Sequence, residues 1–256
     1  IHAVMGDSHA ALFGQNCRSD GKTKVTYGTG SSIMMNIGCE PILSRNGLVT
    51  SLAWGLNGRA EYVLEGNLNY TGAVISWLKD DVKLIGSAAE TEALAYEAGK
   101  DDDLYLVPAF TGLGAPYWDS SARAAMIGMD RTTGKAELTR AALESIAYQI
   151  TDIVRAMEKD SQKRIEVLRV DGGPTKNRYL MQFQSDIAGS EVAISTIEEL
   201  SGTGAAFMAG IALGLWDEEI FDTISWKQVT PQMAQEVRAK KFAGYQNAVG
   251  LIRTGK

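Results

Sequence analysis

The chain has 256 residues, 45 % of them apolar, and a formal net charge of −6. That is enough apolar material for a sizeable core, while the acidic balance argues against nucleic acid and anionic membrane surfaces as partners. Two cysteines, Cys17 and Cys39, and two histidines lack metal-ligand spacing, which argues against structural zinc and for reduced thiols in a cytoplasmic compartment, a single disulfide being the alternative.

Residues 1–5 read as a short strand entering Gly6-Asp7-Ser8-His9, and Ala10-Ala-Leu-Phe13 begins a helix stopped by Gly14. Lys24-Val-Thr-Tyr-Gly-Thr-Gly-Ser-Ser-Ile-Met-Met-Asn36 places two β-prone runs around a knot of small residues. Further β-type runs at 48–53 and 61–64, with Asn46-Gly47 and Asn57-Gly58 as turns, extend this into an antiparallel meander. Residues 72–83 have helical spacing, and 90–98 form a second helix capped by Gly99. Asp101-Asp-Asp103 reads as a solvated turn.

A strand at 104–107 feeds the Gly/Pro loop Pro108-Ala-Phe-Thr-Gly-Leu-Gly-Ala-Pro-Tyr-Trp-Asp119, and another strand lies near 124–129. From Leu138 the apolar positions Ala142, Ile146, Ile150, Ile153 and Met157 make one continuous buried helical stripe. The remainder alternates: strand 165–170, helix 175–188 ended by Gly189, strand 192–194, and a helix N-capped by Ser201. That alternation predicts parallel strands with crossover helices. Residues 226–250 read as a mixed, mainly helical tail. The uncharged run 200–216 is too short and too glycine-broken to span a membrane. The whole chain reads as a single α/β domain, with no internal repeat.

Three glycine-marked places carry the candidate chemistry. Gly28-Thr29-Gly30-Ser31-Ser32 is either a plain hairpin turn or a cradle of bare N–H groups and a hydroxyl for an anion. In Asp171-Gly172-Gly173-Pro174-Thr175-Lys176-Asn177 a strand ends in paired glycines and a helix starts at proline, which makes a tight turn or a phosphate site, with Asn177 within reach of a ligand. Gly72 repeats the pattern at another helix start. Asp7, closing the first predicted strand, is either a local cap or a carboxylate that holds Mg²⁺ through water or accepts a hydroxyl proton. His9 reads as structural, with no partner for a nucleophilic set.

Gly6-Asp7…Ala10-Ala-Leu-Phe-Gly-Gln15, Thr26-Tyr-Gly-Thr-Gly30, the 108–119 loop, Leu143-Glu-Ser-Ile-Ala-Tyr-Gln149, Val170-Asp-Gly-Gly173 and Leu180-Met-Gln-Phe-Gln-Ser-Asp-Ile187 together resemble the C-terminal domain of the FGGY family of carbohydrate kinases, with its glycerol kinase branch nearest. The similarity runs from residue 1 to about 216. It implies an actin-like, ribonuclease-H-like ATPase fold, a mixed sheet with flanking helices, in which ATP and Mg²⁺ lie in a cleft between two domains.

By that resemblance Asp7 is the base for the acceptor hydroxyl, beside its reading above as a carboxylate for Mg²⁺ through water, Thr29 meets the transferred phosphate between Gly28 and Gly30, and Gly72, Ser76, Gly172, Gly173 and Asn177 line the ATP site. Amides freed by these glycines are expected to converge on one triphosphate. Glycerol kinases follow the Asp with Gln, where Ser8 stands here; they carry Phe at the position of Ser32 and Gln at that of Ser76. Ser8 and Ser32, as substrate-binding positions, make the acceptor pocket roomier and more polar, which implies a polyol larger than glycerol or a ketose, with glycerol itself or a pentulose as alternatives. The resemblance further implies an absent N-terminal domain as partner and a homo-oligomer in the full-length protein. Alone, the fragment is expected to fold and bind nucleotide weakly, without kinase turnover. An actin- or chaperone-like ATPase, or a non-catalytic relative, is the competing class.

Overall fold

The protein was analysed as a computed structural model that describes residues 1–99 and 103–254; Asp101 and Asp102 of the expected turn lie outside them. In chain order the elements are α1 (Asp7–Gly14), β1 (Thr23–Tyr27), β2 (Ser31–Asn36), β3 (Val49–Leu56), β4 (Arg59–Leu68) and α2 (Gly72–Ser76), the last running into a π-helical turn at Trp77–Asp81. Then follow α3 (Glu90–Glu97), β5 (Tyr105–Val107), β6 (Ala125–Ile127), α4 (Lys135–Ser161) and β7 (Val167–Asp171). After a 3-10 turn at Gly173–Lys176 come α5 (Arg178–Ala188), β8 (Glu191–Ser195), α6 (Leu200–Ala212), β9 (Trp226–Val229) and α7 (Gln235–Ile252).

Seven strands form one mixed sheet in the order β3-β4-β2-β1-β7-β8-β9, and β5 pairs with β6 in a separate ribbon. β1, β7 and β8 are mutually parallel, and the remaining pairs are antiparallel. The expected parallel units with crossover helices are therefore present. The first four strands are not a simple meander, because β2 pairs with β4 and leaves β3 at the edge. β4 buries side chains on both faces (Val63, Leu64, Leu68) whereas most of β3 is exposed or half-exposed, so the more apolar strand takes the inner place.

Alternation along the strands divides the core in two. Val25, Tyr27, Ile33, Met35, Leu64, Leu168 and Val170 pack under α4 and α5. Met34, Val63, Ala53 and Trp54 pack on the opposite face with Leu12 and Phe13 of α1 and Phe207 and Met208 of α6. The α4 stripe is buried as its spacing predicts: Ala142, Ile146, Ile150, Ile153 and Met157 are all at most 1 % exposed. Glycines set how closely helices approach: a Cβ on Gly204 in α6 would fall 1.8 Å from the Ala10 carbonyl of α1.

Several local expectations are corrected. Residues 1–5 form no strand, since no described strand lies beside them, and α1 starts at Asp7. The expected helix over 72–83 is a five-residue α2 widened into the π turn, which keeps Leu78 buried and Trp77 against Phe110 at 4.8 Å. The helix over 175–188 is split, because Asn177 is extended and its side chain accepts the Leu180 N–H, so it caps α5 instead of continuing a helix. Glu199, not Ser201, caps α6, accepting the N–H groups of Ser201 and Gly202. Cys17 and Cys39 are both free. No described helix is long and apolar enough to cross a membrane.

Candidate active site

The turn between β1 and β2 is Gly28-Thr29-Gly30, and it is locked to the start of α2. The Gly72 N–H donates to the Gly28 carbonyl, and the N–H groups of Thr71 and Ala73 both donate to the Thr29 carbonyl, each at 3.0 Å. A Cβ on Gly72 would lie 2.7 Å from the Gly28 oxygen, so glycine is what permits this contact. Ser31 and Thr71 hydroxyls meet at 2.7 Å beneath it. The expectation that Gly28 and Gly72 amides stand free is therefore revised: Gly28 N–H donates to the Gly30 carbonyl, and both amides hold the backbone frame together. The Thr29 side chain takes no part in that stitching.

The second glycine pair abuts the first. Gly172 has φ of +101°, and a Cβ there would fall 1.9 Å from the Tyr27 carbonyl, immediately before the Gly28 turn. The β7 end is thus pressed against β1, and the chain turns at once into Gly173-Pro174, where the Thr175 N–H and hydroxyl both donate to the Gly172 carbonyl. Gly72, Ser76, Gly173 and Asn177 line a single cleft of about 850 Å³, and Gly172 lies on the far side of the Gly173–Lys176 turn. Ile75, Leu143, Ile146 and Leu180 give the cleft an apolar wall, with Thr91 and Tyr96 beside it. Apolar walls together with the charged and polar groups of Lys79, Thr91, Lys176 and Arg178 in the same lining suit a nucleoside and its phosphates.

Asn177 is committed more firmly than its sequence position suggests. Its Oδ1 accepts from the Leu180 N–H at 2.9 Å, and its Nδ2 donates to Thr91 Oγ1 at 3.1 Å. It borders the cleft as the clasp between α3 and α5. Thr91 and Tyr96 of α3 carry no local motif, and the wall is drawn from α2, α4 and α5, which only the folded chain brings together beside Gly173.

Across the turn, the α1-facing side of the sheet carries a run of polar groups. Asp7 is exposed at the first position of α1, its Oδ1 accepting the Ser8 N–H at 2.7 Å. Lys24 is 0 % exposed, and its Nζ donates to Thr26 Oγ1 and to Ser32 Oγ, both at 3.1 Å. Burial pulls its ammonium down to about 8, while the carboxylates of Asp171, Asp7 and Glu65 act to hold the charge. Asp171 accepts from Gln15 Nε2 at 3.0 Å, and burial pushes its carboxyl above the usual range, with Thr26 and Lys24 acting to lower it. His9 faces Ser51 at 3.5 Å. Lys24, Asp171 and Gln15 escape sequence reading because a lysine in mid-strand looks like a solvent-facing residue until its register neighbours are known.

No group of three or more His, Cys, Asp or Glu placed to hold a metal exists among the described residues. Asp7 is a lone, accessible carboxylate. It fits an ion of the Mg²⁺ type, which takes one or two carboxylates and keeps waters and substrate phosphates for its other positions.

The sequence profile of the FGGY family of carbohydrate kinases, C-terminal domain, matches residues 23–213. A glycerol kinase of Natranaerobius thermophilus is 48 % identical over 253 residues, covering 97 % of this chain and 50 % of its own length. One from Petrotoga mobilis is 47 % identical, covering 99 % and 51 %. Among solved structures, Plasmodium falciparum glycerol kinase with ADP superposes with a TM-score of 0.89 at 34 % identity, over 96 % of this chain and 50 % of that one. A ligand-bound xylulose kinase from Lactobacillus acidophilus shares the fold, with a TM-score of 0.80 at 23 % identity, over 96 % and 49 %. The chain spans about half the length of the curated relatives it matches.

Proposed function

The chain belongs to the FGGY family of carbohydrate kinases, as its C-terminal domain, and from that premise we propose that it is the nucleotide-binding half of an ATP-dependent kinase acting on a sugar or polyol hydroxyl. The observation that carries this reading is the shared cleft: Gly72 and Gly173, far apart in the sequence, line one cavity with apolar walls. ATP is proposed to lie there, its phosphates directed toward the β1–β2 turn and Thr29. Asp7 takes the proton of the acceptor hydroxyl as that oxygen bonds to the γ-phosphorus and the bond to the ADP oxygen breaks. Asp7 would hold Mg²⁺ through water, and the ion would neutralise charge on the phosphates. The chain's own residues do the positioning: the glycine-locked turn fixes Thr29, and α1 fixes Asp7.

The proposed acceptor is a polyol larger than glycerol or a ketose, because Ser8 and Ser32 present short polar side chains where glycerol kinases carry Gln and Phe. Glycerol is the second reading, favoured by the relatives that bear the name glycerol kinase at 47–48 % identity. The partner is proposed to be an N-terminal domain that closes the other wall of the cleft. A cytoplasmic compartment with reduced Cys17 and Cys39, and assembly into a homo-oligomer, complete the proposal. The test is ATP consumption by the full-length protein with glycerol, larger polyols and pentuloses. Turnover on one of the larger acceptors above that on glycerol is expected; glycerol turnover well above every other acceptor refutes the acceptor assignment, and no acceptor-dependent turnover at all refutes the kinase reading.

A further inference from the structure

Lys24 stands beside the site with a role that the reaction above leaves unexplained. A fully buried ammonium is costly unless something is gained from it, and its surroundings define that gain. Lysine only donates, and carboxylates only accept. Asp171 accepts from Gln15 Nε2. Thr26 Oγ1 and Ser32 Oγ both accept from Lys24. Each hydroxyl therefore keeps its own proton to give elsewhere: Thr26 lies opposite Asp171 in the strand register, and the proton left over is the one on Ser32.

Ser32 is half-exposed, unlike Lys24, and no described group accepts from it. Ser32 pairs with Asn67 across β2 and β4, on the same face as Lys24 and Thr26, and Asn67 is exposed. The charged and titratable groups facing Lys24 are Asp7 and Cys17 on the α1 side, Glu65 on β4, and Asp171 on β7. Arg169, its register neighbour on β7, turns instead to the carbonyls of Gln15 and Asn16.

We propose that Lys24 is a positioning residue for the acceptor: by occupying the Ser32 oxygen it makes Ser32 an obligate donor to a lone pair of the substrate, while serving as buried counter-charge to Asp7 and Asp171. The group recognised is a hydroxyl or carbonyl oxygen adjoining the one that is phosphorylated. The inference deepens the kinase reading and rests on it.

The test uses the full-length protein with its best acceptor. Lys24→Met keeps the stem and removes the donor and charge. Its acceptor KM is expected to rise about tenfold, the scale of one oriented, charge-assisted hydrogen bond, with the KM for ATP changed less than twofold. The wild type is expected to show an alkaline limb in its kcat/KM profile near pH 8, where Lys24 loses its proton, and Lys24→Met is expected to lack it. Ser32→Ala is expected to raise the acceptor KM by a similar factor, and the double variant to add little, since both remove the same contact. A Lys24→Met protein with wild-type acceptor KM and pH profile, or one in which both KM values rise together, overturns the proposal. Should Lys24→Met not fold, an unchanged acceptor KM in Ser32→Ala overturns it equally. If the wild type turns over no acceptor, the kinase reading has failed, and the acceptor role falls with it; a wild type that turns over while the variants match it refutes Lys24 alone.

Discussion

Asp152 offers the sharpest test of the packing. It sits on α4, buried beneath the 108–119 loop, where its carboxylate accepts from the Tyr117 hydroxyl at 2.7 Å and from Gln246 of α7. Burial raises its carboxyl from the ordinary 3.8 to about 7 despite those donors and the cations Arg155 and Lys159. The folded protein therefore holds a proton between about pH 4 and pH 7 that the unfolded chain has released. Stability from this group is complete below the unfolded value and is lost as pH rises through the folded one. A gap of roughly three on the pH scale corresponds to about 4 kcal/mol at the upper limit. Asp152→Asn removes the titration and keeps the shape: Tyr117 donates to the new amide oxygen, and the Gln246 amide, turned over, accepts from its NH₂ while giving up its own bond to the Tyr117 oxygen, a loss independent of pH. Urea denaturation of the 256-residue chain at pH 5 and pH 8 should show the wild type losing about 2–4 kcal/mol more than Asp152→Asn over that interval. Asp171, also raised by burial, contributes with the same sign in both proteins and cancels from the difference. Parallel pH curves for the two proteins would refute the assignment of a buried, protonated carboxyl.

The other expectations concern the site. Thr29→Ala should lower kcat of the full-length enzyme about a hundredfold while shifting stability by less than about 1 kcal/mol, because the bonds to α2 use the Thr29 carbonyl and not its side chain; paired kinetics and melting separate the two. Asp7→Asn should reduce kcat by about 10²–10⁴ with the fold intact, since its one bond within the chain is to the adjacent Ser8 N–H; a smaller loss excludes it as the base. Gly172→Ala places a methyl 1.9 Å from the Tyr27 carbonyl at a φ of +101°, so it should destabilise by about 3 kcal/mol or more and abolish nucleotide binding, read by denaturation and by ADP titration. Asn177→Ala should cost about 1–2 kcal/mol through the lost α5 cap and weaken ADP several-fold by releasing Thr91.

What the sequence discloses and what it hides follow the range of the forces involved. The β1–β2 hairpin is legible because alternating β-prone residues and Gly28–Gly30 act within a few positions of one another, and the α4 stripe because its period repeats over five turns. The sheet order is hidden, since whether β2 lies against β3 or β4 depends on burial on both faces of β4, which no single window contains. Asn177 shows the same limit inside a motif: its place after Gly173 suggests a ligand contact, but the structure gives both ends of its amide to Leu180 and Thr91. Glycines mislead in one respect, for Gly28 and Gly72 stand where a phosphate cradle is expected, yet the Gly28 amide closes its own turn on Gly30 and the Gly72 amide binds the Gly28 carbonyl, which leaves recognition to neighbouring groups. Lys24 carries the argument furthest. From the sequence it is an ordinary strand lysine, but strand register puts Thr26, Ser32 and Asp171 around it. A donor-only ion locked among acceptors dictates where the last proton points, so the polarity of the acceptor pocket is set from beneath the sheet surface by a residue that does not itself reach solvent.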